Sequence, residues 1–147
     1  MDIVTLLDEW EKDSEIDRTN ILDENLNISK LHAKYTRIMA TNSVLAKKVT
    51  ANYNEQKSIK TDYYKGDLNN KEDLEKYGFT EPWMKTSTSA GAQKYIDGDK
   101  ELNTLLMRKA NYEEIVKTCE YILKELNNRT WQFRNYNEYL RFTRGET

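Results

Sequence analysis

The chain is poor in residues that interrupt helices. Its 147 residues include one proline, Pro82, and five glycines, the first at position 66. None of the usual strong breakers therefore stands between Met1 and Lys65. Cys119 is the single cysteine, which excludes an internal disulfide and fits a reducing, cytoplasmic compartment. His32 is the single histidine and lies 87 residues away in sequence, so no His/Cys metal set and no Cys–His nucleophile pair is suggested. A phosphate-cradling GxxxxGKS loop and a nucleophile elbow are both missing. No apolar run approaches the ~20 residues needed to cross a bilayer. The first ten residues carry Asp2, Asp8 and Glu9 in place of the basic start and apolar stretch of a secretory signal. The expectation is a chain with no catalytic residues, no cofactor, no metal and no membrane contact.

What is present is charge. Asp, Glu, Lys and Arg make up 33% of the residues against 37% for the apolar class, a mix that suits long solvated helices better than a thick core. The net charge of −2 conceals a segregation. Residues 1–29 carry net −7, residues 30–65 net +6, residues 66–101 net −3 and residues 102–147 net +2. A strongly basic segment inside a mildly acidic protein is the footprint of a binder of anionic polymers. It is equally the footprint of a lysine-rich solvated face, or of one neutralised by the acidic residues 1–29.

Apolar spacing predicts an all-α chain. Residues 3–12 form a short amphipathic helix with Leu6, Leu7 and Trp10 on one side, followed by a polar joint at residues 13–17. Thr19 or Asn20 is placed to cap the next helix, with Asp23 and Glu24 in its first turn. From Ile28 through Leu31, Tyr35, Ile38, Asn42, Leu45, Val49, Asn52, Gln56 and Ile59 to Tyr63, steps of three and four alternate as in a heptad seam, with amides at three positions. A helix from Ile21 to Tyr64 would span about 66 Å, against about 38 Å for a compact globule of this length. It must break or find cover, and a second chain is the expected cover. Gly66 ends it in a left-handed cap. Residues 67–77 have room for one or two helical turns, and Gly78 to Gly98, with the run TSTSAGA, reads as a connector. Asp99 caps a second long amphipathic helix. That helix breaks or bends at Asn127–Asn128 before a short terminal helix, which gives a C-terminal helical hairpin. The organisation is one helical domain, with N-terminal helices over 1–65, a connector over 66–98 and C-terminal helices over 99–147.

Three constellations carry functional readings. On a helix, Lys30, Lys34, Arg37 and Lys48 fall within about 60° of one another. At the end of the basic segment, QKSIKTDYYKG sets Lys57, Lys60 and Lys65 around Tyr63 and Tyr64. Cations and aromatic faces together bind single-stranded nucleic acid, each base stack contributing about 1–3 kcal/mol. Tyr63 fits the seam and Tyr64 does not, so Tyr64 is the better platform; both rings can instead plug the helix end. The C-terminal stripe of Leu105, Tyr112, Val116, Cys119, Leu123 and Leu126 leads into Trp131 and Phe133, and reads as an oligomerisation surface. A protein–protein adapter that binds no nucleic acid is the alternative reading of the whole.

At these residues the chain resembles the UvsY recombination mediators of tailed phages. The marks are EIDRTNILDENLN at 15–27, K-x-x-K-x-D-Y-Y-x-G at 57–66 and D-x-x-L at 99–102. The resemblance implies an all-helical homo-oligomeric ring that binds single-stranded DNA. It further implies that the ring helps a RecA-like recombinase displace single-strand-binding protein and assemble a filament. Of the two basic residues that precede D-Y-Y in the family, the second falls on Lys60. The first falls on Ser58, one residue after Lys57.

Overall fold

The structure is a computed structural model and describes residues 1–85 and 88–145. The helices are α1 (Ile3–Asp13), α2 (Ile21–Lys65), α3 (Lys71–Lys76), α4 (Ser89–Asp97) and α5 (Lys100–Thr143). No strand occurs among the described residues. The chain divides into two compact units, one of residues 1–44 and 111–147, the other of residues 45–110. Each takes part of α2 and part of α5.

In the first unit α1 starts at Asp2, whose carboxylate accepts the Thr5 N–H at 2.8 Å and the Thr5 hydroxyl at 2.9 Å. These bonds satisfy donors that the helix start leaves free, and they hold the Asp2 carboxyl below its ordinary pKa. Leu6 is buried with Leu31 and Tyr35 of α2 and with Ile115, Cys119, Ile122 and Leu126 of α5. Trp10 meets Tyr35 edge to face at 5.5 Å. Polar bonds fix the register. The Tyr35 hydroxyl donates to Asp13 at 2.7 Å, and Lys34 donates to Asp13 at 2.6 Å and lies 3.2 Å from Glu9. Burial pushes the Asp13 carboxyl up, and the bonds from Lys34 and Tyr35 more than offset it, so its pKa is lowered. Arg129 of α5 donates to the Ser14 carbonyl, and its guanidinium lies 5.4 Å from the Trp10 ring centre.

In the second unit Gly66 takes φ +81° and closes α2. The Asp67 N–H reaches the Asp62 carbonyl and the Gly66 N–H reaches Tyr63, the paired bonds of a Schellman end. Gly78, at φ +83°, repeats the device after α3, with Phe79 bonded back to Leu74. Asn70 caps α3, Thr88 caps α4 and Asp99 caps α5. Leu74, Ala92, Ile96 and Leu102 are buried here.

Leu31 and Tyr35 of α2 find cover in their own chain, in the core with α1 and α5. Two expectations change. The 78–98 stretch is not all connector, because Thr88 caps a nine-residue helix whose Ala92 and Ile96 are buried one turn apart. That burial offsets the roughly 1 kcal/mol cost of Gly91 inside a helix. Asn127 and Asn128 do not break α5. Each costs up to about 0.7 kcal/mol of propensity, whereas Leu126 before them, Arg129 just after and Phe133 beyond are all held by burial or bonding.

Cys119 and Leu126 have no exposed surface, so within the chain they are core. Burial pushes the Cys119 thiol up to about 11. Leu126→Ala should cost about 2–5 kcal/mol in a urea melt. In the native wild type Cys119 should stay unreactive towards a thiol reagent until the denaturation midpoint. Rapid native labelling would contradict this packing.

Candidate nucleic-acid interface

The sequence marks at 57–66 and 99–102 meet on one carboxylate. Asp99 Oδ1 accepts the Leu102 N–H at 3.0 Å and the Lys60 ammonium at 2.7 Å. Its Oδ2 accepts the Tyr64 hydroxyl at 2.9 Å. Lys60 also lies 2.9 Å from Glu101. The side chains of Lys60 and Asp99 are 10% and 8% exposed, that of Glu101 79%. Desolvation lowers the Lys60 pKa, but bonds to Asp99 and Glu101 win and raise it. Burial also raises Asp99, and donors from Lys60, Leu102 and Tyr64 bring it below the ordinary carboxylate value. Burial and the Asp99 carboxylate push Tyr64 up to about 12.

An aromatic cluster surrounds this clamp. Tyr63 stacks on Phe79 at 3.9 Å with planes 6° apart, and its hydroxyl donates to the Glu81 carbonyl. Tyr64 stacks on Tyr95 at 5.6 Å and meets Trp83 edge-on at 4.8 Å. Trp83 also meets Tyr95 at 5.0 Å. Both motif tyrosines are half-buried, each with a ring of its own chain beside it.

The expected site residues separate into two groups. Lys34, Lys60 and Lys65 each have a carboxylate within 4 Å, Lys65 through Asp67 at 3.7 Å. Lys30, Arg37, Lys48 and Lys57 have none among the described residues. Lys57 sits 6.0 Å from the Tyr53 ring centre, one helical turn earlier. Of the expected oligomerisation residues, Cys119, Leu126 and Phe133 are buried in their own chain. Leu105, Tyr112, Val116 and Leu123 are half-buried, and Trp131 is exposed beneath the Arg134 guanidinium at 5.1 Å. Sequence reasoning missed Tyr53, Glu101 and the three rings of Phe79, Trp83 and Tyr95. The available signal was aromatic density in a stretch otherwise read as connector. Among the described residues no His/Cys/Asp/Glu group could hold a metal ion, and no helix is long and apolar enough to cross a membrane.

Fold and site together define an all-helical protein that presents cations along a long helix and closes that helix on a buried carboxylate clamp. The chain belongs to the UvsY family: the family profile described as recombination, repair and ssDNA binding protein UvsY matches residues 9–146. Crystal structures of the bacteriophage T4 recombination mediator protein UvsY are similar throughout. One lattice form superposes with a TM-score of 0.81 at 18% identity, covering 97% of this chain and 98% of that one. A second gives 0.79 at 17% identity over 97% and 99%. No curated protein sequence matches the chain significantly.

Removing Asp99 should leave Lys60 without its buried partner and α5 without a cap. Asp99→Ala should therefore cost about 3 kcal/mol or more in a urea melt. Glu101→Ala should cost at most about 1 kcal/mol. Because the folded Asp99 pKa is depressed, its contribution is complete above about pH 4 and is lost as pH falls through the folded value. Asp99→Asn should flatten that acid-side loss, and an undiminished acid slope would contradict the clamp.

Proposed function

We propose that this chain is a recombination mediator: it binds single-stranded DNA as a homo-oligomeric ring and helps a RecA-like recombinase assemble on DNA covered by single-strand-binding protein. The observation that carries the reading is the family match across almost the whole chain, joined to net +6 over residues 30–65. Lys30, Arg37, Lys48 and Lys57 neutralise phosphates, having no carboxylate within 4 Å among the described residues. Lys65 joins them by exchanging Asp67 for phosphate, and Lys34 by exchanging Glu9 and Asp13. Lys60 already faces two carboxylates, so its main role is to position the junction, together with Tyr64. Tyr63 and Tyr64 offer bases whatever ring surface the cluster leaves open. One subunit makes few contacts, and a ring multiplies them through effective concentration.

The adapter reading has one observation in its favour. Lys34 of the basic stripe is neutralised by Glu9 and Asp13 of the acidic segment. It predicts no binding of nucleic acid at all.

Fluorescence anisotropy with single- and double-stranded oligonucleotides at several salt concentrations tests both. Each lost phosphate contact should flatten the log–log salt slope by about 0.7 for single strands. Lys57→Ala should produce that change per subunit engaged, and Lys60→Ala a smaller one accompanied by a lower melting temperature. Equal slopes for wild type and Lys57→Ala would remove Lys57 from the site. Absence of binding by the wild type would favour the adapter.

A further inference from the structure

Two of the three amides on the α2 seam have no structural employment. Asn42 is buried and donates to the Ile38 carbonyl at 2.8 Å, so its polarity is satisfied inside its own helix. Asn52 is exposed and Gln56 half-buried, and neither side chain has a hydrogen-bond partner among the described residues. They line an open groove of about 390 Å³ whose other wall is Glu101, Thr104, Leu105 and Arg108 of α5. A heptad seam is normally closed by apolar side chains. Here, in the second unit, it opens and shows amides and a guanidinium to solvent.

We infer that this groove is a nucleotide site: Asn52 and Gln56 hydrogen-bond base edges, and Arg108 holds the adjoining phosphate of single-stranded nucleic acid. This rests on the DNA-binding reading above and extends it from the basic motif to a second wall. A carboxamide carries both a donor and an acceptor, so it can meet the exposed edge of any unpaired base. Arg108 is exposed with no carboxylate in ion-pair distance among the described residues. Glu101, the one acid lining the groove, is 79% exposed and shares the Lys60 ammonium, 2.9 Å away, with Asp99. The strand has a continuous approach, because Tyr53 and Lys57 stand one residue further round α2, about 100° from the amides. A helix from a second copy would want an apolar lining, and Leu105 alone supplies one.

The test uses a fluorescein-labelled thymidine oligonucleotide and the full chain. Asn52→Leu with Gln56→Leu should bind about five- to tenfold more weakly at fixed salt, with an unchanged salt slope and an equal or higher melting temperature. Arg108→Ala should flatten the salt slope by about 0.7 per subunit engaged. Asn52→Ala with Gln56→Ala, which adds no apolar surface, should reproduce the weaker binding, and light scattering should show the wild-type assembly. If wild type binds and all three variants bind like it, the groove is not a site while the basic motif stands. If wild type does not bind, both readings fall.

Discussion

One carboxylate organises the second unit. Asp99 ends the turn after α4, caps α5 through the Leu102 N–H, holds the Lys60 ammonium and takes the Tyr64 hydroxyl. Three donors on a nearly buried acid let it stay ionised despite desolvation. Its partners come from residues 39 and 35 positions away in sequence, so a single group ties the end of the basic helix to the start of the last one. The aromatic rings then pack against an anchored Tyr64, and Phe79 is delivered to Tyr63 by the left-handed turn at Gly78. If Asp99 were neutral or absent, the cap, the cation and the phenol would lose their common partner together.

That arrangement divides the work among the basic residues. A lysine held by two carboxylates adds little potential to its surroundings, whereas an unpaired one adds a full charge. The D-Y-Y motif is thus a structural junction. It fixes where α2 stops, and hence where Lys57 and the seam amides face. In the first unit Lys34 plays a comparable part through Asp13 and Glu9, while Lys30 and Arg37 on the same helix have no carboxylate within 4 Å among the described residues.

Much of this was legible in the residues. The expected helix from Ile21 to Tyr64 ends within one residue of α2, which runs to Lys65, and Gly66 marked the stop because only glycine enters a left-handed cap cheaply. The Asp99 cap was equally visible. Helix α4 was obscured because TSTSAGA has loop composition, and the burial of Ala92 and Ile96 that stabilises it is tertiary. Asn127–Asn128 misled in the same way, since propensity is local and the anchors around it are not. Among the charges, spacing showed that Lys57, Lys60 and Lys65 cluster, but not which of them would meet an acid. Asp99 and Glu101 lie some forty residues on, and only the fold brings them to Lys60.

The geometry of the junction requires that Lys60 and Asp99 be energetically coupled. A double-mutant cycle measures it directly, comparing Lys60→Met, Asp99→Asn and the two together by urea denaturation. A buried, bonded pair should return an interaction energy of about 1 kcal/mol or more. Additive losses, with a coupling near zero, would mean that the two side chains do not meet in the folded chain.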